Sequence, residues 1–356
     1  MDALVTPSLE PLIEALRSVG YTVVGPTVKD GAVRMAEIWS AEELPAGVGD
    51  AQEPGGYRLT ERDDDMVFGF AAGPDSAKRY TQPPRQTLFR MRDQEIEEVE
   101  PEAPRVALLG VRACDLAAIA VQDRVFLGRH PDSAYRRRRE ALFLVAVNCA
   151  VPGGTCFCAS MGTGPKATAG FDLAITELAA PHRFLIEPGS ERGAQILTAI
   201  PHRAAEEDDL AAAQEVSRTA ATRMGRQVDT TGIQDWLPAA HDHPRWTDVA
   251  SRCLSCTNCT MACPTCFCST VEDITDLSGD VAERSERWDS CFTLDFTELG
   301  GTPVRGSALA RYRQWLTHKF ATWYDQFGVS GCVGCGRCIT WCPTGIDVTE
   351  ELSCIR

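Results

Sequence analysis

Two cysteine runs carry the strongest chemistry in this sequence. The first is Cys253-x-x-Cys256-x-x-Cys259-x-x-x-Cys263-Pro264, the second Cys332-x-x-Cys335-x-x-Cys338-x-x-x-Cys342-Pro343. Two-residue spacers let a tight loop turn three thiolates toward one iron–sulfur cube, while the fourth Cys ligates the cube of the other run. The expected pairing is therefore crossed. Cys253, Cys256, Cys259 and Cys342 hold one [4Fe–4S] cluster; Cys332, Cys335, Cys338 and Cys263 hold the other. The proline after each fourth Cys fixes φ and cannot donate, which closes the loop. Zinc is the competing reading, but zinc sites pair two separated CxxC elements. Two complete runs fit clusters better.

A second group lies upstream. Cys114 sits in Val111-Arg112-Ala113-Cys114-Asp115, Cys149 in Val147-Asn148-Cys149, and Cys156 and Cys158 in Thr155-Cys156-Phe157-Cys158. Four thiols are enough for a third [4Fe–4S] cluster, and Gly153, Gly154, Gly162 and Gly164 allow close backbone approach to it. The plain alternative is that these thiols pack as small hydrophobes. Thr265-Cys266-Phe267-Cys268 repeats the upstream tetrapeptide, and Cys291 follows in Trp288-Asp289-Ser290-Cys291. These three make an additional metal site or serve as packing residues. Cys354 reads as a bystander.

The elements that must position these thiols follow from periodicity. Residues 105–111 and 141–147 are apolar runs of the kind found in buried parallel strands. If they are neighbours, Cys114 and Cys149 both fall at the carboxyl edge of the sheet, where α/β proteins place ligands. Helical spacing marks residues 8–19, 115–127 and 206–224. Residues 21–24 and 32–38 read as strands joined through Asp30-Gly31, residues 66–70 as a short strand, and 47–56 as a loop. In residues 307–327, Leu309, Tyr312, Trp315, Leu316, Phe320 and Trp323 mark one helix face. The expected fold is α+β: an α/β domain with a mixed sheet over residues 1–240, then a mainly α-helical dicluster ferredoxin-like domain over 241–356.

Composition narrows the partners. The 356 residues carry a net charge of −15 and sixteen cysteines. An acidic chain lacks the basic stripe that nucleic acid needs. The N-terminus has no basic and apolar leader, and the longest apolar run is too short for a bilayer, which takes about 20 residues. We expect a cytoplasmic protein with no membrane partner, its cysteines reduced and available to metal. There is no G-x-G-x-x-G opening a helix after a strand, so no flavin or NAD site is expected on this chain, and no catalytic residue is assigned. Arg252 and Arg337 beside the clusters would raise their potentials, and Asp115 would lower them.

Val111 to Ile119, Asn148-Cys149 with Thr155 to Cys158, Ser160 to Gly164 and the two ferredoxin runs resemble one subunit type. It is the iron–sulfur β subunit of soluble NAD(P)-linked [NiFe] sulfhydrogenases, and a component of anaerobic sulfite reductase is its cousin. The resemblance covers roughly residues 105–343. It implies a non-catalytic electron-transfer subunit holding three [4Fe–4S] clusters. Its partners would be the small and large subunits of the hydrogenase, together with a flavin/NAD(P)H-oxidoreductase subunit. The alternatives are the electron-input subunit of an anaerobic sulfite or sulfur reductase, and a redox-sensing or structural iron–sulfur protein.

Overall fold

The computed structural model describes residues 3–92 and 95–356. It is a mixed α/β molecule with several sheets, and its C-terminal part carries both ferredoxin runs. The largest sheet has eight strands. Their order is Arg203–Ala204, Leu4–Thr6, His182–Pro188, Leu173–Ala179, Phe143–Val147, Val106–Arg112, Thr22–Lys29 and Ala32–Glu37. The four strands from Leu173–Ala179 to Thr22–Lys29 are parallel, and the flanking pairs antiparallel. Helices cover both faces. Glu10–Ser18 and Glu191–Leu197 pack on one side, Ala113–Phe126 and Glu207–Thr222 on the other. That double burial is why residues 106–111 and Phe143–Val147 carry no charged or polar side chain rather than alternating.

Three sequence expectations fail here for identifiable reasons. Residues 66–70 are fully buried but form no strand. Side chains satisfy this backbone instead: the Glu177 carboxylate accepts from Val67 N and Phe68 N, and Arg112 donates to the Phe68 and Phe70 carbonyls. Residues 47–56, expected as loop, contribute to a hairpin of Val48–Glu53 and Gly56–Glu61. Polar, Gly-containing strands of this kind give no period-2 apolar signal. The late helix over residues 307–327 is present but broken into Ala308–Thr317, a π-helical turn His318–Thr322 and Trp323–Phe327.

The second hydrophobic core lies under the ferredoxin runs. Trp246, Phe292, Tyr312, Trp315, Leu316 and Phe320 fill it, together with Phe157 from the upstream tetrapeptide. A four-stranded sheet joins chain from both sides of residue 240. Its order is Ser269–Thr275, Val281–Trp288, Arg85–Arg92 and Glu95–Glu98. Among the described residues no helix is long and apolar enough to cross a membrane.

Candidate metal centres

The two ferredoxin loops share one backbone device. Ser255 and Thr257 flank Cys256 with φ of 51° and 70°; Gly334 and Gly336 flank Cys335 with φ of 66° and 78°. Residues in the left-handed region between right-handed neighbours turn their N–H groups into one concavity, the anion nest used at many Fe–S sites. The nests point at sulfur. Ser255 N donates to Cys253 Sγ at 3.4 Å, Gly334 N to Cys332 Sγ at 3.4 Å, and Ile346 N to Cys342 Sγ at 3.3 Å. These donors suit thiolates carrying cluster charge. Only the second loop requires glycine. A Cβ on Gly334 would lie 2.7 Å from Cys158 Cα, and one on Gly336 2.5 Å from Thr155 Oγ1.

The fold brings the fourth cysteine of each run to the other run. Cys342 acts electrostatically on Cys253 and Cys259, whereas Cys263 acts on Cys332, Cys335 and Cys338. Burial pushes the Cys259 and Cys338 thiols well up and Cys332 up to about 12. Left without metal they would be neutral thiols, so binding a cluster must release protons. Among the described residues no three His, Cys, Asp or Glu side chains converge on a single-ion position. Zinc would draw its thiolates to about 3.8 Å apart, given Zn–S of about 2.3 Å. The first set lies nearer solvent, with Cys256 exposed and Leu254 66% exposed. The second is enclosed, and Lys319 Nζ, itself buried, donates to Cys263 Sγ at 3.3 Å.

The upstream thiols stand where the parallel sheet sends them. Cys114 lies in the first turn of the helix Ala113–Phe126, directly after Val106–Arg112, and Cys149 follows Phe143–Val147. Arg112, 3% exposed, donates toward Cys149 Sγ at 3.9 Å and ties that edge to the 66–70 segment. Cys156 and Cys158 come in on a loop stitched to the second ferredoxin run. Phe157 N donates to the Gly334 carbonyl at 2.9 Å, Thr163 Oγ1 to the Val333 carbonyl at 2.6 Å, and Cys156 Sγ points at the Cys335 carbonyl at 3.7 Å. Of the flanking glycines, Gly164 lies against Cys158 Sγ, 3.0 Å from where its Cβ would be. Burial pushes Cys114 and Cys158 well up and Cys156 up to about 12, and Cys335 acts on all three. Cys335 is thus the meeting point of the second and third thiol sets.

Residues 252–346 match the family model described as "4Fe-4S dicluster domain". Sulfhydrogenase 2 subunit beta of Pyrococcus furiosus is 32% identical over 307 residues, which covers 84% of this chain and 89% of that protein. The chain belongs to the sulfhydrogenase β-subunit family. No solved structure matches. The aligned 84% exceeds what residues 105–356 alone can supply, so the family likeness of this sulfhydrogenase β-type chain reaches into its first hundred residues.

That N-terminal stretch has a local reason to matter. The turn of the Val48–Glu53/Gly56–Glu61 hairpin sits on the first thiol set. Gly55 N donates to the Ile339 carbonyl at 3.1 Å, and a Cβ on Gly55 would lie 2.8 Å from the Cys342 carbonyl. Gln52 Oε1 accepts from both Thr155 and Thr340, joining the upstream loop to the helix Arg337–Thr340. Sequence reasoning missed Gln52, Lys319 and the role of Arg112. Only Arg112 left a trace, as a charge set between an apolar strand and a cysteine. Of the remaining thiols, Cys266 is buried against Cys263, Cys268 and Cys291 pair with each other, and Cys354 is exposed on the last helix.

Proposed function

We propose that this chain is the electron-relay subunit of a cytoplasmic [NiFe] hydrogenase complex. In this reading it conducts between a flavin subunit exchanging electrons with NAD(P)H and the small subunit that serves the nickel–iron subunit. A [4Fe–4S] cluster exchanges electrons with its potential set by charge, burial and hydrogen bonds to sulfur, and several such clusters close together in one chain make a conductor. The observation that carries the reading is the row of thiol sets. The Cys253 set adjoins the Cys332 set through Cys259 and Cys263, and the Cys332 set adjoins the Cys114 set through Cys335. The row begins near solvent at Cys256 and ends at the sheet edge at Cys149. The P. furiosus relative, named a sulfhydrogenase subunit, supports a hydrogenase complex as the setting.

The test is a complex purified through this chain. Nickel in the complex and NAD(P)-linked hydrogen turnover support the reading; sirohaem in place of nickel overturns it in favour of a sulfite reductase. Cys332→Ala is then expected to abolish NAD(P)-linked turnover while dye-linked hydrogenase activity of the partner subunits survives. Equal loss of both would count against a relay.

A further inference from the structure

The second Thr-Cys-Phe-Cys tetrapeptide stands to the Cys332–Cys338 loop as the first one does. Thr155 and Thr265 are both fully buried. Thr265 Oγ1 donates to the Gly331 carbonyl at 2.6 Å at the loop's start, and Thr155 lies against Gly336 toward its end. Phe267 packs edge-on against Trp323 at 5.5 Å and Phe126 at 6.1 Å, which anchors the segment carrying Cys266 and Cys268 beside the cleft that both thiols line. Cys291 is delivered to them by a backbone hydrogen bond from Asp289 N to the Cys268 carbonyl at 2.8 Å, and its thiol is within hydrogen-bonding reach of Cys268.

All three thiols line a cleft of about 500 Å³. No carboxylate lines it, whereas Arg305 and Lys319 do. Trp315 and Trp323, also on its wall, are 4% and 2% exposed, and their indole N–H groups have no partner. A second buried lysine closes the back: Lys78 Nζ donates to the Cys266 carbonyl at 3.2 Å and lies 3.8 Å over the Trp288 ring. Two lysine amino groups thus converge on this end of the tetrapeptide, Lys319 on Cys263 Sγ and Lys78 on the Cys266 carbonyl, a surrounding that suits an anionic cluster.

We propose that Cys266, Cys268 and Cys291 hold a fourth iron–sulfur centre, whose iron without a cysteine ligand faces the cleft and takes a small anion. The cleft's positive lining and unpartnered indole donors suit such a ligand. The proposal rests on Cys263 belonging to the second ferredoxin cluster.

The experiment compares anaerobically reconstituted full-length chains. The Cys268→Ser/Cys291→Ser double variant is expected to hold about four fewer irons per chain than wild type, with the EPR signals of the ferredoxin pair retained. A Cys354→Ser control should lose none. This difference does not depend on whether the Cys114 set binds a cluster. Cyanide should perturb one wild-type EPR component that the double variant lacks. Equal iron in wild type and double variant, or stoichiometric zinc at the site, would overturn the proposal. Should the double variant lose all its iron, Mössbauer spectra of the wild type decide: a single iron subsite shifting with cyanide supports the centre, and no shift sinks it. Cys263→Ser separates this proposal from the reading beneath it. Loss of the second ferredoxin cluster with the cyanide-sensitive centre intact is expected; the reverse pattern reassigns Cys263 and overturns the three-thiolate site.

Discussion

Arg337 and Asp115 form a buried, two-pronged ion pair between the second ferredoxin run and the helix that carries Cys114. The guanidinium donates to the carboxylate at 2.7 and 3.0 Å, and the side chains are 2% and 8% exposed. Its remaining donors reach the Gly73 carbonyl at 2.8 Å and the Asp75 carbonyl at 2.9 Å. The planar fork of arginine is matched on every side, which lysine could not reproduce. Taken singly from the sequence, Arg337 would raise a cluster potential and Asp115 lower it. Paired, each still dominates on its own side, Arg337 outweighing Asp115 at Cys335 and Asp115 outweighing Arg337 at Cys114, and the pair adds an architectural role: it clamps two thiol sets together.

The clamp makes a stability prediction. Asp115→Asn leaves a buried guanidinium without its counter-charge, which costs about 3–5 kcal/mol. Chemical denaturation should show the midpoint falling accordingly. The double variant Asp115→Leu/Arg337→Met should recover most of that loss, because replacing both charges by apolar groups is often neutral. A double variant no better than Asp115→Asn would mean that the carbonyl contacts of Arg337, not its ion pair, hold the junction.

The crossed pairing is tested from its fourth ligands. Cys342→Ser should remove the cluster of the Cys253 run although Cys342 is carried by the other run. Iron should fall by about four per chain. The clearest check is a further Cys253→Ser substitution made on top of it, which should then change nothing in the EPR spectrum. If Cys342→Ser instead silences the same signal as Cys332→Ser, the runs are uncrossed.

Much of this arrangement was legible in the chain. The two runs, the parallel strands ending at Cys114 and Cys149, and the helices over 10–18 and 113–126 follow from spacing and periodicity, because their side chains are selected by local geometry or by burial on both faces. What escaped depends on pairing at long range. The strands Ser269–Thr275 and Val281–Trp288 are rich in charge, stabilised by cross-strand pairs such as Arg284 with Asp273 and by the 85–92 strand. No apolar alternation announces them. Lys319 was equally hidden: on a helix pattern it is an ordinary polar position, and only the π-helical turn and the placement of Cys263 make it a buried partner of sulfur.

Lys319 makes a prediction about potential. Its ammonium donates to Cys263 Sγ, to Thr265 Oγ1 at 3.0 Å and to the Gly331 carbonyl at 3.1 Å. A positive charge on a cluster ligand favours the more negative, reduced state. A charged hydrogen bond contributes about 1.5–3 kcal/mol, equivalent to about 60–130 mV for one electron at 59 mV per tenfold. Lys319→Met should lower the potential of the enclosed ferredoxin cluster by that order in an EPR-monitored redox titration, with the solvent-near cluster shifting less. An unchanged potential would show that solvent or the Arg337 pair screens this charge.

The third thiol set has a spectroscopic prediction of its own. Cys114→Ala and Cys149→Ala change residues on different strands' ends, yet both should remove the same EPR component and about four irons. Arg112→Leu should leave that component present but altered, since it removes a donor toward Cys149 Sγ without removing a thiol. Spectra unchanged by either cysteine substitution would make these buried packing thiols.

Asp209 supplies the pH dependence. At the start of the helix Glu207–Thr222 its carboxylate accepts from Arg203 at 2.6 and 3.1 Å, from Glu206 N at 3.0 Å and from Arg183 at 2.9 Å. The Arg203 hydrogen bonds first, then the Glu206 N–H, hold its pKa well below the ordinary carboxylate range. A group whose folded pKa is depressed stabilises the fold fully above its unfolded value, about 3.9 for Asp, and that contribution is lost as the pH falls below it toward the folded value. Arg203 is half exposed, which limits the gain. Asp209→Asn should therefore cost about 1–2 kcal/mol at neutral pH. Measured by denaturation at successive pH values, the gap between wild type and variant should stay constant down to about pH 5 and narrow below about pH 4. A gap that persists unchanged to about pH 3 would show that Asp209 acts by shape alone, and that its charge contributes nothing to holding this helix on the sheet.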